Sequence, residues 1–488
     1  MRVIRLLGLR IWLLVAAGWF VATGCARRQP EPEPVARTVN LPEAPPKADG
    51  PLDVHRAVAA AQLHAPSIRT ARARVDLANA GTDLADTAYL PRLDLVWQEI
   101  RATRNNISGT TFPQGVLPAI SGPVGASRSW SSGWGSNAGA LLTYEPLDFG
   151  LRSATVEAAR LAARQAEADV RVTRLEAGAT AAEAFLAHLA ARQTLRTTRA
   201  NLDRWEVFAK SVHALTDREL RPGADASRAD AEVAAARTQD LLAEQTVQTS
   251  RIALAESMGT TELPAETDAG PLLDLPPSEI PPGDPAGHPL LDRQAAAVQS
   301  ARARQDALDR AFAPRLNLLL GVSGRGSGFD PAGNPEPSDG LFPTRPNWGA
   351  GVSLTFGVTD YFQLSARRLA EEGAERAERA RADEIYLSLR MQSAKVRTVL
   401  DTARKIADNT RVQLQAANDA VTRARSRYDT GLGTLTEVAD AQRLLAQAEI
   451  DELLARLTIW RTLAASARVR GDLEPFLKLV AAAQERKK

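Results

Sequence analysis

A single cysteine, Cys25, stands in a chain of 488 residues. No disulfide can therefore form within the chain, and no cysteine-based metal site can be built. Histidine is almost as scarce. His55, His64, His188, His213 and His288 are scattered without metal spacing or a partner motif, so they read as solvated or core residues. The glycine-rich run Gly321-Val322-Ser323-Gly324-Arg325-Gly326-Ser327-Gly328 lacks the Lys-Ser/Thr ending of a phosphate loop, and no helical pattern follows it. It reads as a strand leaving into a loop. With no nucleophile elbow, zinc signature or dinucleotide fingerprint either, neither catalysis nor a cofactor is expected. The formal net charge of +2 supplies no electrostatic reason to expect nucleic acid.

The N-terminus carries Arg2, Arg5 and Arg10, then an apolar run over 11–22, then small residues before Cys25. The run falls short of the ~20 residues a membrane-spanning helix needs, so residues 1–24 read as an export signal, with a retained anchor as the alternative. Ala22-Thr23-Gly24-Cys25 resembles the lipobox of bacterial lipoproteins, with Ala22 in place of the usual leucine. The resemblance implies that Cys25 is lipidated and becomes the mature N-terminus, whereas a lone buried cysteine is the bland alternative. Ala26 stands where sorted lipoproteins carry aspartate for inner-membrane retention, which implies the outer membrane. Residues 25–51, with Pro30, Pro32, Pro34, Pro42, Pro45, Pro46 and Pro51, form an extended spacer that cannot pack as a helix. A second Pro-rich stretch, 260–287, reads as a linker between repeats.

The rest of the chain says one thing twice. Pro66 … Ala88-Tyr89-Leu90-Pro91-Arg92-Leu93-Asp94-Leu95 recurs at one constant offset as Pro289 … Ala311-Phe312-Ala313-Pro314-Arg315-Leu316-Asn317-Leu318. Leu142-Thr143-Tyr144 returns as Leu354-Thr355-Phe356, and Ala229-Asp230-Ala231 as Ala439-Asp440-Ala441. Fixed order and near-fixed offset mark an internal repeat. Each copy, 52–259 and 288–470, reads as helix, strand, Gly/Ser/Pro-rich loop, strand, very long helix, turn and helix, leaving 471–488 as a tail.

Alternation of period two predicts strands at about 91–103, 138–147, 314–324 and 347–358. Leu93, Leu95 and Trp97 share one face, as do Leu316, Leu318, Leu320 and Val322. These lengths match the ~9 to 11 residues of a membrane-spanning strand. Aromatics make up only 5% of the chain, yet Tyr89, Trp97, Trp130, Trp134, Tyr144, Phe312, Trp348, Phe356, Tyr361 and Phe362 collect in or beside the strands. Interfacial girdles explain this; soluble hairpins packed on helices are the alternative. Four strands cannot close a barrel, and in lipid each unpaired edge group costs several kcal/mol. If the strands enter a bilayer, several copies must share one barrel.

No proline interrupts about 150–219 or 361–427, so each segment reads as a helix of ~100 Å at 1.5 Å per residue. Alanine dominates them, which permits side-by-side packing into a helical tube; an ordinary long coiled coil is the alternative. Both end in glycine-containing turns, Pro222-Gly223 and Gly431-Leu432-Gly433, where glycine is expected to supply the positive φ of a helix C-terminus.

The duplicated plan, the segments PRLDL, PRLNL and EPLDFGLR, and YDTGLGTLTEVADAQ together resemble the TolC-like outer membrane factor family over roughly 52–470. The resemblance implies a mixed α/β membrane protein, mainly α. Three subunits would form a twelve-stranded outer-membrane β-barrel continuous with a long periplasmic α-helical barrel. Its implied partners are two further copies of the chain, a periplasmic adaptor, an inner-membrane pump and outer-membrane lipid, in efflux or type I secretion. At the tip, Tyr428 matches the tyrosine that ties one helix pair to its neighbour, and Glu437 and Asp440 match two acidic pore-narrowing positions. Asp230 is the first-repeat equivalent of Asp440. Two positions depart from the pattern: Gly433 where a partnering arginine often sits, and Glu437 where aspartate is usual. Acids on a solvated helix face, or serving a helix N-terminus, remain the alternative. A lipid-anchored periplasmic scaffold or adaptor is the rival from another class.

Overall fold

The computed structural model describes residues 50–103, 130–219, 222–276, 285–328 and 340–486. The export signal, Cys25 and nearly all of the 25–51 spacer lie outside the described residues, as does part of the 260–287 linker. The elements run α1 (Val54–His64), α2 (Pro66–Asp86), β1 (Arg92–Thr103), β2 (Ser132–Leu147), α3 (Leu151–Thr216) and α4 (Gly223–Ser257). The second copy of the plan follows as α5 (Pro289–Arg310), β3 (Arg315–Ser327), β4 (Arg345–Thr355), α6 (Asp360–Asp429) and α7 (Leu435–Arg470), and α8 (Glu474–Glu485) ends the chain.

The strands form one antiparallel sheet in the order β1-β2-β3-β4, leaving the outer edges of β1 and β4 unpaired among the described residues. β2 starts earlier than its alternation suggests, because the Gly/Ser-rich stretch from Ser132 pairs with β1 as far as Thr103. Glycine and serine carry little strand propensity of their own, so the partner strand decides. The sheet's polarity is inverted relative to a soluble protein. Leu93, Leu95, Trp97, Leu318, Leu320, Val322, Val352 and Leu354 are exposed on one face, and Trp348 is 79% exposed. A face this apolar is matched to lipid.

At 66 and 70 residues, α3 and α6 are each about 100 Å long. Each is flanked by two shorter helices. α2 and α4 both pack along α3, as α5 and α7 do along α6 or α3. Where α4 ends, Gly259 has φ +75° and lies so close to the backbone of His64 and Ala65 that a Cβ would clash. Where α7 ends, Gly471 (φ +90°) abuts His288 and Pro289 in the same way. These two glycines let one short helix stop where the next begins.

The strand-to-helix turn in EPLDFGLR rests on Asp148. Its Oδ2 accepts from the backbone N–H of Arg152 at 2.5 Å, and the Arg152 guanidinium pairs with it at 3.1 Å. Burial opposes ionisation of Asp148, yet the Arg152 and Gly150 N–H groups and the Arg152 charge together hold its carboxyl below the usual range. Arg152 also donates to the Ala88 carbonyl and stacks on Tyr89, which fastens the start of α3 to the segment leading into β1.

The main core is a collar around the middle of the helices. Phe185, Leu186 and Leu189 of α3 meet Leu400 of α6, Leu254 of α4, Trp460 and Leu463 of α7, and Val54 and Val58 of α1. The segment expected as a plain tail instead supplies α8, whose Phe476 is buried against Trp460. Its apolar residues recur at helical spacing, and that periodicity was the available signal. Part of the 260–287 linker is also built in: Leu272 is buried, Trp460 donates to the Asp274 carbonyl at 2.8 Å, and Arg192 donates to the Thr267 carbonyl at 2.7 Å.

His188 lies in this collar, 2.9 Å from the Ser250 hydroxyl. Burial, reinforced by the charges of Arg192 and Arg251, lowers its pKa to about 4. The unfolded chain takes up that proton near pH 6.5, so the folded state is penalised as pH falls from about 6.5 to 4. His188→Gln should reduce the fall in thermal midpoint over that interval, measured in detergent. An equal fall in both proteins would refute the assignment.

Candidate functional site: the helical tip

Four helix ends meet far from the sheet. Trp205, Phe208, Ala209 and Val212 of α3, Ala229 of α4, Tyr428 of α6, and Leu435, Val438 and Ala439 of α7 form a second core. Trp205 stacks edge-on to Phe208, and Phe208 lies 5.4 Å from the Tyr428 ring. Tyr428 is 1% exposed, with its hydroxyl 3.3 Å from Asp225 Oδ2. One phenol thus joins the α6/α7 hairpin to the start of α4.

The two turns differ from the expectation. Gly431 does supply a positive φ, +78°, and the N–H groups of Leu432 and Gly433 both donate to the Arg427 carbonyl at 2.9 Å. Gly433 does not have positive φ. It is required for close approach, since a Cβ would lie 3.0 Å from Arg427 Cβ and 3.1 Å from Tyr428 N. In the first turn Gly223 opens α4 after Pro222, and the left-handed residue at the end of α3 is Glu219, φ +58°. The first turn therefore places its left-handed residue before the Pro-Gly pair, because proline, with φ fixed near −65°, begins the next helix well. Thr434 caps α7, its hydroxyl accepting from the Glu437 N–H at 3.3 Å.

The three acids singled out from sequence each have a basic partner in their own chain, an arginine for Glu437 and Asp440 and a histidine for Asp230. Glu437 lies 3.6 Å from Arg427, Asp440 3.2 Å from Arg443, and Asp230 2.8 Å from His213. The hydrogen bond that His213 donates to Asp230, then the charge of Asp230, raises the His213 pKa, with Asp217 adding to the effect. The sequence reading missed these partners. Arg443 could have been found from its i,i+3 spacing to Asp440, but His213 and Asp230 meet only because α3 and α4 are antiparallel.

Longer-range links were equally invisible. Arg443 also reaches Glu232 of α4 at 3.2 Å. Higher up, Arg204 of α3 holds Glu449 of α7 with two bonds of 3.1 and 2.9 Å. Both partners are about three-quarters buried, so this bidentate pair is screened less than the exposed ones below it. Near the tip, polar links at Tyr428, Arg443 and Arg204 therefore join the two hairpins of one protomer along their contact.

An apolar-faced open sheet, helices of about 100 Å and a polar-linked tip define the class as a membrane channel with a helical extension. A family model described as outer membrane efflux protein matches residues 57–260 and 286–469, and the chain belongs to that family, one of transport channels rather than enzymes. Among solved structures, the chain is similar to the CmeC outer membrane channel of Campylobacter jejuni at 14% identity and TM-score 0.69, covering 86% of this chain and 85% of that one. It is similar to a membrane protein from Pseudomonas aeruginosa at 21% identity and TM-score 0.70, covering 86% and 90%. It is also similar to VceC of Vibrio cholerae at 18% identity and TM-score 0.67, covering 86% and 96%. At these identities the likeness shows the fold. No curated protein sequence matches the chain significantly.

Tyr428→Phe keeps the ring packing but removes the hydroxyl bonded to Asp225, and should cost about 1 kcal/mol. Tyr428→Ala should cost about 3–5 kcal/mol through the cavity it leaves. Denaturant midpoints of the detergent-solubilised protein check this order; equal losses would contradict it.

Proposed function

We propose that this protein is the passive outer-membrane exit duct of a tripartite efflux or type I secretion system. In this reading three copies share one twelve-stranded barrel, lipidated Cys25 adds an anchor, and the helices extend into the periplasm to an adaptor and an inner-membrane pump. The observation that carries the reading is the open sheet: one face is apolar and exposed, and among the described residues both its edges are unpaired. A lipid-embedded sheet must pair those edges, and copies of the same chain supply matching ones. The helices expose unpartnered apolar residues as well, among them Leu387 and Met391 on α6 and Leu241 and Ile252 on α4, which suits side-by-side assembly into a tube.

The tip turns at Pro222-Gly223 and Gly431-Gly433 form the periplasmic end, and Tyr428, Glu437, Asp440 and Asp230 serve the gate. Opening parts the hairpins and frees the carboxylates from Arg427, Arg443 and His213. Cargo passes through water and energy comes from the pump.

The native mass of the detergent-extracted protein tests the assembly. A trimer is expected; a stable monomer would overturn the shared barrel and favour a lipid-anchored scaffold. Replacing Glu437 and Asp440 by Gln and Asn should raise conductance in planar bilayers and antibiotic leakage in cells. Unchanged conductance in a folded trimer would remove these residues from the gate. Cys25→Ala should abolish labelling by radioactive palmitate.

A further inference from the structure

Inside the loop end of the sheet lies a row of side chains that neither packing nor the tip requires. The registers Gln98↔Asn137, Asn137↔Arg325 and Arg325↔Arg345 place one residue from each of the four strands side by side. Cross-strand partners point to the same side of a sheet. The row therefore lies on the face opposite Trp97, Val322 and Trp348, which face outward with the other exposed apolar side chains. It sits at the strand ends farthest from the helices.

This arrangement is costly without a ligand. Directly opposed residues of antiparallel strands have Cα atoms about 4.5–5.5 Å apart, and like charges so placed destabilise the pair. Neither Arg325 nor Arg345 forms an ion pair among the described residues, whereas Arg92 and Asp94, at the helix end of the same face, pair with each other at 2.9 Å. Asn137, next in the row, is 6% exposed, yet its Nδ2 has no hydrogen-bond partner. Gln98 ends the row with an unpartnered amide oxygen, and its amide can turn to present nitrogen instead. Two arginines and a buried amide N–H₂ unpartnered among the described residues thus share one row and one face and offer donors, while the amide at the end adapts.

We propose that this row is an anion-recognition site on the inner wall of the barrel, selecting carboxylate- or phosphate-bearing solutes at the outer mouth. The inference rests on the channel reading and assigns it a substrate class. Guanidiniums suit such anions because their planar forks bind two oxygens at once. In a trimer the site would occur three times around the pore, and charged rings of this kind set the ion preference of channels. Its position on the face opposite the apolar one points to solute in the pore rather than to lipid headgroups.

The test uses the purified full-length protein in planar bilayers under a KCl gradient, with inorganic phosphate added on the loop side. Wild type should conduct, and phosphate should lower its conductance. Replacing Arg325 and Arg345 together by Gln should shift the reversal potential toward cation preference and remove the phosphate effect. Replacing both by Lys should keep the reversal potential but weaken the effect, because ammonium groups lack the bidentate fork. Asn137→Asp leaves both arginines in place and should abolish the phosphate effect by occupying them internally. A wild-type pore that conducts but ignores phosphate would overturn the site and leave the channel reading intact, as would variants that behave like wild type. A wild type that forms no pore would overturn the channel reading itself.

Discussion

A sheet whose outward face is apolar, and whose two edges are bare, constrains everything else in this protein. Hydrocarbon offers no hydrogen bonds, so each edge N–H and C=O must find a partner in protein. Four strands of this length cannot curl far enough to satisfy one another. The chain is therefore incomplete as a unit in the membrane, and its other features follow from that incompleteness. In the proposed trimer the helices hang from one end of the sheet and pack with those of neighbouring copies. The face opposite the lipid side is free to carry polar and charged residues.

The helices meet their own constraint by pairing. A helix of about 100 Å cannot be stabilised by propensity alone, and here each long helix is covered along its length by two shorter ones placed end to end. At each junction a left-handed glycine lets one helix stop against the next. The collar sits where the junctions fall and gathers Trp460, Phe185 and Phe476, with α8 and part of the linker drawn in around Trp460. Alanine on the remaining faces allows close lateral contact without deep interdigitation, which suits the proposed tube.

In the proposed gate the tip separates holding from switching. Its apolar core, from Trp205 to Val438, keeps the four helix ends together, while the polar contacts are graded from the bidentate, largely buried Arg204–Glu449 pair down to exposed pairs at Glu437 and Asp440. Exposed pairs are worth about 0–1 kcal/mol each, so they can break and reform without unfolding the core. Motion can therefore be confined to the last turns.

The repeated plan, the inverted alternation of the strands and the proline-free helices were legible in the sequence because each is a local periodicity, set by the geometry of a strand or helix. Tyr428 was legible as a residue, but its acceptor Asp225 was not. The basic partners of the three acids, the Arg204–Glu449 pair and the packing of α8 depend on which helices become neighbours. The same holds for Arg325 and Arg345, ordinary residues in sequence that face each other only through the β3–β4 register. The sequence by itself determined the elements, their order and the face each strand turns outward, since these follow from residue spacing along one segment. Only the tertiary structure decided which charges meet, because antiparallel pairing joins residues from 17 to 245 positions apart that leave no mark in their local pattern.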